Sequence, residues 1–169
     1  MRYLTRRIAS ATVRYAAGVP TGTRPESGPT KGGGTVIDSD TGWYFVPASL
    51  KAVVLRGDEV MLCLNPRDEW ELPGGWPDRG DRDAAATLVR EVHEESGLSV
   101  TPGPVVYADI LRVGPEGQVV VVMYRAECDA SAEPTPGDEH RVVKFFPVDD
   151  LPEPLPELYR RGIAAARRG

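Results

Sequence analysis

From residue 50 onward, apolar residues fall into short runs separated by turn-forming residues. Leu50 to Leu55, LKAVVL, predicts a strand; Arg56 to Glu59, RGDE, predicts a turn; Val60 to Leu64 predicts the returning half of a hairpin. Glu69 to Leu72 predicts a short strand that ends at Pro73-Gly74-Gly75. Val105 to Val113 and Val119 to Cys128 predict two strands joined by the turn GPEG, Gly114 to Gly117, and Val142 to Val148 predicts another. Helical spacing occurs twice in this region. Between Asp83 and Ser96, Ala85, Leu88, Val89 and Val92 stand at i, i+3, i+4 and i+7 and predict one buried stripe, with Gly97 placed to end the helix. Leu155 to Ala166 predicts a second helix, approached through Pro152, Pro154 and Pro156. Strands interspersed with two helices, without regular βαβ alternation, predict an α/β (α+β) domain in which helices flank a mixed β-sheet.

The first part of the chain has a different pattern. Residues 1–17 have the spacing of a short basic amphipathic helix, and residues 18–34, GVPTGTRPESGPTKGGG, have the composition of a flexible linker. The expected division is therefore a basic arm over 1–42 and a folded domain over 43–169. Two readings of the arm stay open: a tail of little function, or a segment that docks on a partner or an anionic surface.

Composition narrows the function classes. A chain of 169 residues with 41% hydrophobic and 27% charged residues suits one globular domain. The net charge of −5 is uneven: residues 1–31 hold six basic residues and one acid, and the remainder, with 14 basic and 24 acidic residues, stands at −10. An acidic main domain argues against a nucleic-acid groove. No apolar run reaches the roughly 18 residues of a membrane span. Arg14 interrupts the one candidate signal-peptide core, so a cytoplasmic location is expected. Cys63 and Cys128 lie inside apolar runs and read as buried free thiols, with no Cys/His spacing that suggests zinc.

The candidate chemistry lies in the run from Trp70 to Leu98, WELPGGWPDRGDRDAAATLVREVHEESGL. Glu91, Glu94 and Glu95 are spaced i, i+3 and i+4 on the first helix, where like charges face each other and destabilise it by roughly 0.2–0.5 kcal/mol per pair. They form one sector beside the apolar stripe. The Gly74-Gly75 pair just before lets backbone pass close to that sector and turn carbonyl oxygens into it. Hard divalent cations favour such carboxylate and carbonyl oxygens. His93 points away from Glu91 and reads as a surface residue.

These residues resemble the Nudix box: Gly, five residues, Glu, seven residues, Arg-Glu, an apolar residue, any residue, Glu-Glu, any residue, Gly, an apolar residue. Arg90 to Leu98, REVHEESGL, matches its second half in full, and Leu72 to Gly75, LPGG, matches the usual start. Counting from Gly75, Asp81 occupies the first acidic position, and eight residues rather than seven separate it from Arg90. The resemblance implies a Nudix-like α/β/α sandwich over roughly residues 47–167. It implies a hydrolase that cleaves the diphosphate bond of a nucleoside diphosphate linked to another group. Mg²⁺ or Mn²⁺ would be held by Glu91, Glu94 and Glu95 with the Gly74 carbonyl, and Arg90 would orient the glutamates. Glu139, in the GDEHR segment before the last strand, is the candidate distal base or extra ligand, and His140 lies near the same place. Trp76 is the best candidate to stack on a base, ahead of Trp70 and Tyr124. The implied partners are a small nucleotide-type substrate and, among proteins, a second copy of the chain. A nucleotide-sensing module on the same fold and an enzyme acting on 5′ ends of RNA are the competing readings.

Overall fold

The computed structural model of the protein describes residues 36–37, 44–113 and 117–168. The basic stretch 1–17, the stretch 18–34 and residues 114–116 of the GPEG turn lie outside the described residues. Two short strands, β1 (Val36–Ile37) and β2 (Tyr44–Phe45), pair antiparallel with each other. A six-stranded mixed sheet follows. It is built from β3 (Ala48–Arg56), β4 (Glu59–Leu64), β5 (Trp70–Glu71), β6 (Val100–Val113), β7 (Gly117–Cys128) and β8 (Val142–Pro147). The strand order is β5-β4-β3-β7-β6, with β8 also paired to β4. Among the described strands, β3 and β7 are the one parallel pair. Helices α1 (Ala84–Ser96) and α2 (Glu157–Ala166) pack on opposite faces.

Alternation along the central strands explains the two layers. Val53 and Leu55 of β3, with Val60 and Leu62 of β4, face the core that holds Tyr159, Ile163 and Ala166 of α2. Ala52 and Val54, with Met61 and Cys63, face the core that holds Leu88 and Val92 of α1. A strand buried on both faces reads as a continuous apolar run, which is why LKAVVL carries little alternation.

One feature of the sheet positions everything that follows. β3 and β4 share only two registered pairs, Leu55 with Val60 and Arg56 with Glu59, next to their turn. β4 keeps β8 along its whole length and, on its other side, changes partner to β5 at Cys63 and Leu64. The strands therefore splay, and the chain after β5 fills the wedge. The Leu50 and Ala52 amides donate to the Gly75 and Pro73 carbonyls at 2.9 and 2.8 Å. LPGG is thus hydrogen-bonded along the side of β3 that β4 has left.

Several features differ from the sequence reading, among them two boundaries and the buried face of α1. β6 begins at Val100 rather than Val105, because register shifts between Pro102 and Tyr107 and an open outer edge accommodate Pro102 and Pro104, which have no backbone N–H to give to a ladder. α1 begins at Ala84, and Asp83 caps it by accepting the Ala86 amide. The buried stripe of α1 is also rotated. Ala85 and Val89 are exposed, while Thr87, Leu88, Val92, Glu95 and Ser96 are buried, since LPGG and the segment around Gly137 cover the glutamate side. Cys63 is buried as expected, whereas Cys128, the last residue of β7, is only partly so.

Candidate active site

The Gly-Gly turn is clamped between β3 and α1. Gly74 has φ +125°, and a Cβ there would collide with the Leu50 carbonyl oxygen. A Cβ on Gly75 would lie 2.7 Å from the Glu91 carboxylate. Only glycine lets this backbone run between the strand and the acidic helix. The Gly74 amide donates to Glu95 Oε2 at 2.8 Å, and its carbonyl accepts from Lys51 Nζ at 2.5 Å. The peptide units around Gly74 therefore tie Glu95 and Lys51 into one assembly.

The outer half of the acidic sector is organised by Arg90. Its guanidinium pairs in bidentate fashion with Asp81, Nε to Oδ1 at 3.1 Å and Nη2 to Oδ2 at 2.8 Å. Nη1 reaches Glu91 Oε1 at 2.9 Å and Glu94 Oε2 at 3.2 Å, and Nη2 also donates to the Trp76 carbonyl at 3.1 Å. One cation thus draws Glu91 and Glu94 together and fixes the loop after Gly75. Asp81 also accepts from the Asp78 amide and the Thr87 hydroxyl, at 2.8 and 2.9 Å. The carboxylate thereby closes the loop and anchors Arg90. The Arg90 hydrogen bonds come first among the causes that hold the Asp81 carboxyl well below its ordinary value.

The inner half is buried and more tightly coupled. Glu95 is 6% exposed; burial pushes its carboxyl up to about 7, against the pull of Lys51, the Gly74 amide and His140. Glu91 is also raised, by burial first and by the Glu94 charge, against the pull of Arg90. Lys51 sits between Gly74 and Glu71, whose Oε2 is 3.6 Å from Nζ. Burial opposes its charge, but the fields of Tyr159, Glu71 and Glu95 outweigh it and keep the ammonium protonated. Glu71 accepts from His140 Nε2 at 3.2 Å. Burial would raise the Glu71 carboxyl; the His140 hydrogen bond and Lys51 bring it down to about 2.

Of the residues singled out in the sequence, the fold brings together Gly74, Arg90, Glu91, Glu94 and Glu95. Glu94 is the outermost of the three glutamates, its side chain 58% exposed. Glu139 is exposed and makes no hydrogen bond or ion pair with another described side chain. It is not in contact with the acidic sector, although its loop is: the Gly137 amide donates to the Glu95 carbonyl at 3.0 Å. Trp76 has an exposed indole beside the Arg90 contact. Trp70 instead packs edge-on against Phe146, with ring centroids 4.7 Å apart. His93 is exposed on the opposite side of α1. Sequence reasoning missed Lys51 and Glu71. A signal existed for the first, since a lysine inside LKAVVL interrupts a run otherwise buried on both faces.

The profile of the NUDIX domain matches residues 47–166. The chain belongs to the NUDIX family, and it is a hydrolase of the Nudix type. Among solved structures it is similar to a MutT NUDIX hydrolase from Burkholderia pseudomallei, with 25% identity, a TM-score of 0.62, and 70% of this chain and 96% of that one covered. It is also similar to an ADP-ribose pyrophosphatase from Streptococcus suis, with 28% identity, a TM-score of 0.58, and coverage of 72% and 90%. A MutT protein from Methanosarcina mazei, 21% identical over 72% of this chain and 93% of that one, shares the fold with a TM-score of 0.62. No curated protein matches the chain.

Proposed function

We propose that the protein is a Mg²⁺- or Mn²⁺-dependent hydrolase that cleaves the diphosphate bond of a nucleoside diphosphate linked to another group, of nucleotide or nucleotide-sugar type. The observation that carries this reading is the convergence of the Glu91 and Glu95 carboxylates on the Gly74-Gly75 backbone, both raised by burial, with Arg90 holding Glu94 beside Glu91. The residues present fit a hard dication. All the donors are oxygens, and the space beside Gly75 that a Cβ would fill faces Glu91. The Gly74 carbonyl has a second lone pair beside the one that Lys51 uses.

Glu91, Glu94, Glu95 and the Gly74 carbonyl would hold the cation. When bound, it supplies charge stabilisation at the diphosphate oxygens. Arg90 holds Glu91 and Glu94 in position, and Asp81 holds Arg90. Glu139 acts as the base that takes the proton from the attacking water. Its exposure on a loop fastened to the Glu95 carbonyl leaves it free to meet a substrate. The exposed Trp76 indole offers a face on which a nucleobase stacks. Free thiols at Cys63 and Cys128 are in keeping with a reducing compartment such as the cytoplasm.

Because one similar structure is an ADP-ribose pyrophosphatase, ADP-ribose is the first substrate to test with Mg²⁺ and Mn²⁺, in an assay that separates the nucleoside monophosphate products by chromatography. Sugar nucleotides, dinucleotides, nucleoside triphosphates and capped RNA complete the panel. Turnover of at least one diphosphate-linked nucleotide, abolished by chelation, is expected; turnover of none overturns the catalytic reading. Glu139→Gln is expected to lower kcat by roughly 100-fold. We further propose that residues 1–42 are an arm separate from a hydrolase domain over 43–169, a division supported by the start of the family match at residue 47. Removal of residues 1–34 is expected to leave turnover and Tm unchanged.

A further inference from the structure

Behind Glu95, away from Arg90, three different donor types meet in the interior. Cys63 Sγ on β4, a Glu95 carboxylate oxygen on α1 and a His140 ring nitrogen before β8 all lie within 4.8 Å of one another, and all three residues are buried. His140 Nδ1 is 3.8 Å from Glu95 Oε1, too far for a hydrogen bond, and it is the one buried side-chain polar atom among the described residues without a partner. The His140 side chain is only 4% exposed, so water does not readily supply that partner.

The other ring nitrogen explains how Nδ1 is presented. Nε2 meets Glu71 Oε1 at 3.2 Å, and an ionised carboxylate only accepts, so Nε2 carries the proton. In the neutral ring Nδ1 then has a bare lone pair facing Cys63 and Glu95. A histidine whose far N–H is held by a carboxylate is the arrangement that orients a metal ligand and raises its basicity. The charges also balance. Lys51 is beside Glu71 and offsets it, which leaves a thiolate and the Glu95 carboxylate to match one dication.

We propose that Cys63, Glu95 and His140 form a second metal site, selective for a thiophilic dication such as Zn²⁺ and distinct in ligand chemistry from the oxygen-only site for Mg²⁺ or Mn²⁺. Ligand atoms around tetrahedral zinc stand about 3.5 Å apart, given bonds of about 2.0–2.3 Å, so side-chain shifts of about 1 Å bring the three donors to bonding range and leave the fourth position to a water. On binding, the Sγ–metal bond forms and the thiol proton passes to the buffer. A proton held by Glu95 is released to the buffer in the same way, and the ring binds through Nδ1 in its neutral form. Because Glu95 is shared, zinc there withholds it from the oxygen site and acts as an inhibitor. That corollary, unlike the site itself, rests on the function proposed above.

Cobalt(II) serves as the spectroscopic probe, added to the full-length protein in the absence of Mg²⁺. Wild type and Cys128→Ser are expected to show a thiolate-to-cobalt charge-transfer band that saturates at one equivalent and is displaced by Zn²⁺. Cys63→Ser is expected to lack the band and lose roughly 100-fold in Zn²⁺ affinity; His140→Gln is expected to shift the visible d–d bands. Circular dichroism melts confirm that each variant is folded. Absence of the band in wild type, its survival in Cys63→Ser or its loss in Cys128→Ser overturns the proposal. In the hydrolysis assay, Zn²⁺ is expected to inhibit wild type and spare Cys63→Ser; equal inhibition of both overturns the corollary. A cobalt band in a protein that hydrolyses nothing overturns the proposed function and leaves the zinc site standing.

Discussion

The acidic sector of α1 has two halves built on opposite electrostatic plans. The outer half, around Arg90, is a partly exposed fork in which one guanidinium serves three carboxylates through short, well-directed hydrogen bonds. The inner half, around Glu95, is buried and gathers a lysine, two glutamates, a histidine and a thiol from β3, β4, β5, α1 and the loop before β8. In the outer half, the Arg90 hydrogen bonds hold Asp81 low; in the inner half, desolvation competes with every pairing and leaves Glu95 near 7 while Glu71 falls to about 2. A carboxylate thus serves as a rigid anchor on one side, at Asp81, and as a proton-sensitive group on the other, at Glu95.

The largest effect should break the inner half. Glu95→Gln is expected to lower kcat/KM by roughly 10²–10³-fold, the scale on which one preorganised electrostatic group acts. The metal-free variant should nevertheless melt higher than wild type at pH 8. The Glu95 carboxyl is raised in the folded state, so its cost is absent below about 4.5 and fully felt above about 7, where glutamine removes up to about 3 kcal/mol of it. A lower Tm would contradict the assigned direction. Glu94→Gln should match the catalytic loss without the gain in Tm.

Next comes pH. Below pH 7 a proton competes with the cation for Glu95, so the apparent Mg²⁺ affinity is expected to fall by up to about tenfold per pH unit between 7 and 4.5. A flat activation constant across that range would show that Glu95 is already ionised without metal. Glu71 has the opposite sign. Its lowered carboxyl adds stability that is complete above about 4.5 and lost as the pH falls toward 2, so Glu71→Gln should flatten the acid limb of a Tm-against-pH curve.

The outer half should be more forgiving. Asp81→Ala removes both hydrogen bonds to the Arg90 fork, and about a tenfold loss in kcat with a lower Tm is expected. Retention of full activity would show that Glu91 and Glu94 alone hold the arginine. His93→Ala is expected to change turnover by less than about twofold, since the side chain is exposed on the far side of α1.

The two halves also differ in how far they can be read from the chain. Arg90, Glu91, Glu94 and Glu95 lie within six consecutive residues, so helical geometry alone places them side by side. Helix α1, LPGG and the paired strands were legible for the same reason: local spacing carries them. Lys51, Cys63, Glu71 and His140 are up to 89 positions apart, and no local pattern joins them. They meet because β4 parts from β3 and β5 enters the gap, a property of strand pairing. The rotation of the α1 stripe was hidden for a related reason. Which flank of an amphipathic helix is covered depends on what chain returns over it, here LPGG and the segment around Gly137.

The loop from Trp76 to Arg82 hangs between two fixed points. Gly75 is held by the Leu50 amide at one end, and at the other Asp83 caps α1 while Asp81 grips Arg90. A span anchored in this way can gain or lose a residue, or change its composition, while the reactive groups keep their places.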